Sequence, residues 1–292
     1  MGGPNREQSL TTTRTEAYYV ARRRAYRVLL YVLMFVGCAI MLLPFFWMVT
    51  TSFKTELEAM RMPPQWIPRT WLWQNYPAAL ARAPFGRYFF NSFFVSILST
   101  AGEVFTTILA AYAFAKMRFF GKNVLFALLL GTMMIPGEML LIPNYVSLVR
   151  LNWFDHYEGL IIPWLASVFG IFLLRQFFRS LPDELWDSAR IDGCRRFRYL
   201  WKVVVPLSKP AILTVALLKF LGSWNAYQWV LLMTNSQRMR TIPVGLTMFS
   251  SDIGTEYQLL MAASVVAILP ILILFFFTQK QFIQGVARTG IK

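Results

Sequence analysis

Apolar residues gather in six long runs, at 28–51, 89–115, 124–147, 160–178, 210–232 and 259–278, with polar stretches between them. A helix rises about 1.5 Å per residue, so roughly 20 apolar residues cross a hydrocarbon layer about 30 Å thick. All six runs are of about that length, and no sheet is needed to account for them. The pattern predicts an all-α, polytopic membrane protein with six transmembrane helices. The first run follows an Arg-rich tail, is too long for the apolar core of a leader peptide, and carries Pro44 and Trp47 where a cleavage site would fall. It reads as an uncleaved anchor. The chain then divides into a tail at 1–27, the first helix and an external loop at 28–86, a core at 87–279 and a second tail at 280–292.

Composition supports this. Of the 292 residues, 57% are apolar and 15% charged, whereas a soluble domain carries about 25% charged residues. The net charge of +15 would suggest nucleic acid in a soluble chain; here the membrane explains it, because basic residues accumulate in cytoplasmic loops beside anionic lipid. The two tails, the loop after run two and the segment from Arg175 to Lys209 together hold twenty Lys and Arg, and the alternate loops hold eight. That split predicts an even number of crossings, with both termini cytoplasmic.

Other chemistry is sparse. Cys38 lies in an apolar run and Cys194 in a basic loop, without a Cys/His metal spacing. The single His156 sits beside Asp155 with no second ligand near it. No metal, cofactor or catalytic group is expected, and one histidine argues against a membrane-embedded enzyme. Pro136, Pro143, Pro163 and Pro270 interrupt apolar runs, which suits helices facing a pathway or a partner; kinks used only for packing are the other reading.

Glu103, Glu138 and Lys219 fall at membrane depth, where each must face protein or water. They read either as an ion relay, as in an ion-coupled secondary transporter, or as partners that fix helix packing. Glu138, between Pro136 and Pro143, has the best claim to a cavity. Trp224, Asn225, Tyr227 and Gln228 offer the aromatic faces and amides that a sugar pathway needs, although Trp and Tyr also anchor helices at the interface. The 52–88 loop, with Met62-Pro-Pro-Gln-Trp-Ile-Pro68, Trp71, Trp73 and Tyr76, suits either a docking surface or a cap on the bundle.

The most informative stretch joins runs four and five: Ser180-Leu-Pro-Asp-Glu-Leu-Trp-Asp-Ser-Ala-Arg-Ile-Asp-Gly193, and then a basic segment to Pro210. Ser180 is a candidate cap and Pro182 suits a first turn, while Asp183, Glu184 and Asp187 complement the positive end of a helix dipole. Gly193 supplies a left-handed C-terminal cap. A second helix would align Phe197, Leu200, Trp201, Val204 and Val205 on one face, lying at the membrane surface. Small Ser188 and Ala189 would let the first helix enter a cleft on another protein, although a solvated connector fits the same pattern.

The spacing of Asp187, Ser188, Ala189 and Gly193 resembles the EAA loop of membrane subunits of binding-protein-dependent ABC importers, with Asp187 for the usual Glu and Ser188 for the first Ala. Asn75-Tyr76, Asn91-Ser92, Ala111-Tyr-Ala-Phe114, Ile135-Pro136, Ile142-Pro143, the 171–178 stretch, Trp224-Asn225 and the closing 279–292 tail resemble the sugar-importing, maltose-type branch. The resemblance implies the type I ABC importer permease fold and a cytoplasmic EAA coupling helix. It implies as partners a pair of ATPase subunits, a second similar permease subunit, an extracytoplasmic solute-binding protein and a sugar substrate, in a cytoplasmic or inner membrane. Glu184, Asp187, Ser188, Ala189, Asp192 and Gly193 would then couple to the ATPase; Glu138, Trp224, Asn225 and Tyr227 would be pathway candidates, unless the paired subunit supplies the solute contacts. The chain has no G-x-x-x-x-G-K-[S/T] run, so another chain would hydrolyse the ATP.

Overall fold

The computed structural model describes the backbone at 6–251 and 254–290, and side chains at 22–250 and 254–279. Helix α1 (Arg6–Ser52) leads through two short helices, α2 (Glu56–Met60) and α3 (Asn75–Ala81), into α4 (Phe85–Lys116). Helix α5 (Lys122–Thr132) is followed by a 3-10 turn (Gly137–Leu140) and α6 (Leu141–Arg150); α7 (Tyr157–Ile161) is followed by a second 3-10 turn (Ile162–Trp164) and α8 (Val168–Ser180). Next come α9 (Glu184–Ile191), α10 (Arg196–Tyr199), a π turn (Leu200–Val204), α11 (Val205–Leu207) and α12 (Lys209–Trp224). Helices α13 (Gln228–Met233) and α14 (Ile242–Gly245) precede α15 (Tyr257–Gly290). The only strands among the described residues are a two-residue antiparallel pair, Ser250–Ser251 with Gly254–Thr255.

Four stretches, Arg22–Ser52, Phe85–Lys116, Tyr157–Ser180 and Tyr257–Gln279, are long and apolar enough to cross a membrane unaided. Two bent pairs raise the number to as many as six, if each pair makes one crossing. The third run, expected to be interrupted by proline, is Lys122–Thr132 and Gly137–Arg150, set at 89°. Pro136 causes this: it lacks an N–H, and the residue before a proline avoids helical geometry. The expected fifth span also ends early. Helix α12 stops at Trp224, 225–227 break the backbone, and the stretch before α12, Arg196–Leu207, meets it at 82°. Of the expected amphipathic face, Leu200 and Val204 are buried and Trp201 and Val205 half-buried in one cluster with Tyr199, whereas Phe197, which precedes the π turn, is 64% exposed and rests on the Trp201 ring.

Helix α4 is the axis of the bundle. Its residues enter all three apolar clusters: Phe85 and Tyr88 with Trp224, Ile242 and Ala262; Val95 with Leu160, Val230 and Met233; and Ile108, Ala111 and Tyr112 with Leu174, Phe178 and Leu200. Ser92, Ser96, Ser99, Glu103 and Thr107 form one buried stripe at helical spacing. Small side chains on that stripe let α8 and α12 come close. A Cβ added at Gly170 of α8 would lie 3.2 Å from Thr107 and 3.3 Å from Val215.

Polar contacts pin the connecting loops to the bundle. The Asn91 amide donates to the Arg238 and Arg240 carbonyls, each at 2.8 Å, and accepts from the Tyr157 hydroxyl at 2.7 Å. Ser92 Oγ accepts from the Ile242 amide at 2.9 Å. On the neighbouring loop, Asn75 donates to the Ser52 and Lys54 carbonyls, while Phe53 packs on Trp71, Trp73 and Tyr76. The aromatic residues of the 52–88 loop thus cap the end of α1.

Asp155 makes a similar clasp, its Oδ1 accepting from the Asn235 and Ser236 amides at 2.9 and 3.0 Å. Burial alone would raise its pKa, but hydrogen bonding from the Ser236 side chain and then from the two amides outweighs burial and holds the carboxyl below its ordinary 3.8. A depressed folded-state pKa contributes stability that is complete above the unfolded value and is lost as pH falls through the folded one. Protection of the Asn235 and Ser236 amides, corrected for intrinsic exchange, should therefore hold above about pH 4 and collapse below it. In Asp155→Asn chains that step should vanish; a flat profile in the unaltered chain contradicts the clasp.

Candidate functional site

Helix α9 stands between the fourth and fifth spans. Its outward face carries Glu184, Asp187, Ser188 and Ile191 at i, i+3, i+4 and i+7, all exposed, with Ile191 at 88%. Leu185, Trp186 and Ala189 turn inward onto the cluster around Tyr199, with Trp186 against the Tyr199 ring at 5.1 Å. Ala189 therefore uses its small size against this chain's own bundle, and Ser188 donates to the Glu184 carbonyl at 2.9 Å. Of the expected coupling residues, Glu184, Asp187, Ser188, Asp192 and Gly193 lie exposed together, and Ala189 lies behind them.

Gly193 closes α9 with φ of 71°. Its amide donates to the Arg190 carbonyl at 3.0 Å, and the Cys194 amide to the Ala189 carbonyl at 2.9 Å. This pair of hydrogen bonds, with Cys194 and Ala189 in one apolar cluster, is the Schellman ending, in which glycine takes the left-handed position at little steric cost. Ser180 does not cap α9. It is the last residue of α8, its hydroxyl donates back to the Phe177 carbonyl, and Asp183 occupies the cap position.

The start of α9 is clamped to the end of α4. Lys116 Nζ donates to the Leu181 carbonyl at 2.7 Å and pairs with Asp183 Oδ1 at 2.6 Å. That hydrogen bond, and then the ammonium charge, hold the Asp183 carboxyl below the usual carboxylate range. Beyond α9, the Tyr112 hydroxyl of α4 donates to the Arg196 carbonyl at 3.3 Å. Both flanks of the loop are thus tied to the central helix. Sequence reading missed these anchors because Lys116 and Asp183 are 67 residues apart.

A cavity of about 460 Å³ lies beside α4, bounded by Glu103, Trp164, Ser167, Lys219, Ser223 and Tyr227 among others. A second, of about 230 Å³, is lined by Glu138, Asn144, Trp164, Gln228 and Trp229. Trp164, Gln228 and Trp229 border both, so the two adjoin. Of the pathway candidates, Tyr227 lines the first and Glu138 the second. Trp224 is 2% exposed, packed between Phe93 and Phe220, and the Asn225 amide donates to the Leu221 carbonyl at the end of α12. Trp164 carried no sequence signal beyond the Pro163 next to it.

Glu103 and Lys219 form an ion pair at 2.7 Å in the cavity wall, their side chains 7% and 13% exposed. Lys219 Nζ also donates to the Trp164 carbonyl at 2.9 Å, and the Thr106 hydroxyl to the Leu165 carbonyl. The break between α7 and α8 frees those two carbonyls, and at membrane depth they need donors. Glu103 and Lys219 are therefore partners of one another, and Glu138 lines a different cavity.

A helical bundle of bent and straight spans, with a short capped helix projecting from the loop before the fifth, defines a membrane transport subunit. Residues 103–288 match the profile of the binding-protein-dependent transport system inner membrane component, and the chain belongs to that family. Over 270 residues it is 34% identical to the arabinooligosaccharides transport system permease protein AraQ of Bacillus subtilis strain 168, covering 91% of this chain and 96% of that one. Over 274 residues it is 33% identical to the sn-glycerol-3-phosphate transport system permease protein UgpE of Yersinia enterocolitica, covering 91% and 98%. The sulfoquinovosyl glycerol transport system permease protein SmoH of Agrobacterium fabrum is 32% identical over 266 residues, covering 89% and 93%. Among solved structures, a chain of a bacterial ABC transporter involved in the import of the acidic polysaccharide alginate superposes with a TM-score of 0.80 at 24% identity, covering 89% of this chain and 97% of that one. The fold is accordingly that of an ABC importer permease, and the ion-coupled reading is not favoured.

Proposed function

We propose that this chain is the permease subunit of an ATP-driven importer for a sugar or sugar-like solute, with α9 as the element gripped by a separate ATPase. The observation that carries the reading is the exposed Glu184, Asp187, Ser188 and Ile191 face on a helix clamped to α4 by Lys116. A pull on α9 would be passed to the helix that lines the cavity. A second, similar subunit would complete the pathway, an extracytoplasmic binding protein would deliver the solute, and both termini would lie on the α9 side, in the cytoplasm.

Sugars present hydroxyls and apolar ring faces, which suit the amide of Gln228, the hydroxyls of Ser167 and Ser223, and the ring of Trp164. The named relatives carry carbohydrate or glycerol derivatives, which supports that solute class. Proteoliposomes holding the full complex should take up solute only with ATP. Asp187→Lys should reduce co-purification of the ATPase several-fold while the chain still inserts in the membrane. Uptake driven by a proton gradient without ATP, or unchanged assembly of Asp187→Lys, contradicts the reading.

A further inference from the structure

The turn from α4 to α5 gathers more positive charge than the protein neutralises. Lys116, Arg118 and Lys122 lie on that turn, and Arg175 and Arg179 on the facing end of α8. Arg118, Arg175 and Arg179 lie near enough to repel the Lys122 ammonium. Asp183 takes Lys116, and among the described residues no ion pair involves Arg118, Lys122, Arg175 or Arg179. Arg175 is occupied otherwise, its Nε donating to the Phe114 carbonyl and its guanidinium lying 3.8 Å from the Phe126 ring. Lys122 Nζ donates to the Met117 carbonyl at 2.9 Å and the Ala115 carbonyl at 3.4 Å, which leaves a third N–H.

A second observation points to what meets these cations. At the turn closed by Gly121, with φ of 75°, Phe120 is fully exposed and Phe119, which packs against the Phe114 ring, is 40% exposed, with Val124 and Leu128 exposed along α5. A surface cavity of about 340 Å³ lies between Arg118, Phe119, Lys122 and Val124. A fully exposed Phe120, a partly exposed Phe119 and exposed Val124 and Leu128 beside cations without an ion pair suit a membrane interface, which takes the apolar groups among acyl chains and the cations at headgroup level.

We propose that the α4–α5 turn and the end of α8 hold the phosphate of an anionic glycerophospholipid, with Arg118, Lys122 and Arg179 at the phosphate and Phe119 and Phe120 among its acyl chains. The phenylalanines decide for lipid over a soluble phosphate. The site does not depend on which solute the importer carries. Bound lipid would fix the turn after Lys116 and so bear on the clamp that holds α9.

Native mass spectrometry of the full chain in detergent, with phosphatidylglycerol or phosphatidylcholine added, tests this. The unaltered chain should retain phosphatidylglycerol at least fivefold better, since each basic residue near an anionic headgroup is worth about fivefold. Arg118→Gln with Arg179→Gln should remove that preference, whereas Arg23→Gln with Arg24→Gln, an equal loss of charge elsewhere, should keep it. Equal retention of the two lipids by the unaltered chain overturns the site without need of any variant. Equal loss in both double variants overturns it too, as does displacement of lipid by millimolar inorganic phosphate. Unchanged lipid preference in Arg118→Gln/Arg179→Gln with lost ATPase co-purification would assign the cluster to a protein partner instead.

Discussion

Glu103→Leu should destabilise the bundle by about 3–5 kcal/mol, the usual cost of leaving one member of a buried ion pair alone. The Lys219 ammonium would keep its bond to the Trp164 carbonyl but lose the carboxylate 2.7 Å away. Adding Lys219→Met should recover part of that loss, because neither charge then needs compensation. A deficit of about 1–3 kcal/mol should remain, since the Trp164 carbonyl has lost its donor. Thermal unfolding of the purified chain in detergent, arranged as a double-mutant cycle, separates the terms. A single substitution costing under about 1 kcal/mol contradicts a buried pair, because exposed ion pairs contribute on that scale.

Gly193→Pro should lower ATP-dependent uptake by an order of magnitude or more while leaving the chain in the membrane. Proline locks φ near −65°, whereas this position holds 71°, and it removes the amide that donates to the Arg190 carbonyl. The Schellman ending cannot form with either change. The end of α9 would then be re-aimed, together with Ile191 on its outward face. Gly193→Asn, which tolerates the left-handed region, should keep most of the uptake. Equal loss in both variants would show that the backbone turn is not what matters.

Where the physics was local, the sequence sufficed. Length and hydropathy set membrane crossing, so four of the six apolar runs are single spanning helices and the other two correspond to the bent pairs. Gly193 marked the end of α9 because a left-handed cap needs a glycine-like residue. The bends were harder. Pro136 announced an interruption but not an 89° turn, which depends on what the second half packs against. The fifth span ended early at 225–227, where no proline marks the break, so the Trp224, Asn225 and Tyr227 candidates came apart: one into the core, one onto its own helix end, one to the cavity. Glu103 and Lys219 were visible as costly residues, and their pairing was one of two open readings; 116 residues separate them, so only the fold could choose. Ser180 satisfied cap statistics, yet α8 runs beyond its apolar pattern and consumes it.

Cross-linking from α9 tests the central idea most directly. With Cys38 and Cys194 replaced by serine and Ser188→Cys added, a short bismaleimide applied to the assembled importer should join this chain to the ATP-hydrolysing subunit, from the cytoplasmic side. If position 188 reacts only with reagent supplied outside the cell, or links to no nucleotide-hydrolysing chain, α9 is not the element through which ATP drives the gate.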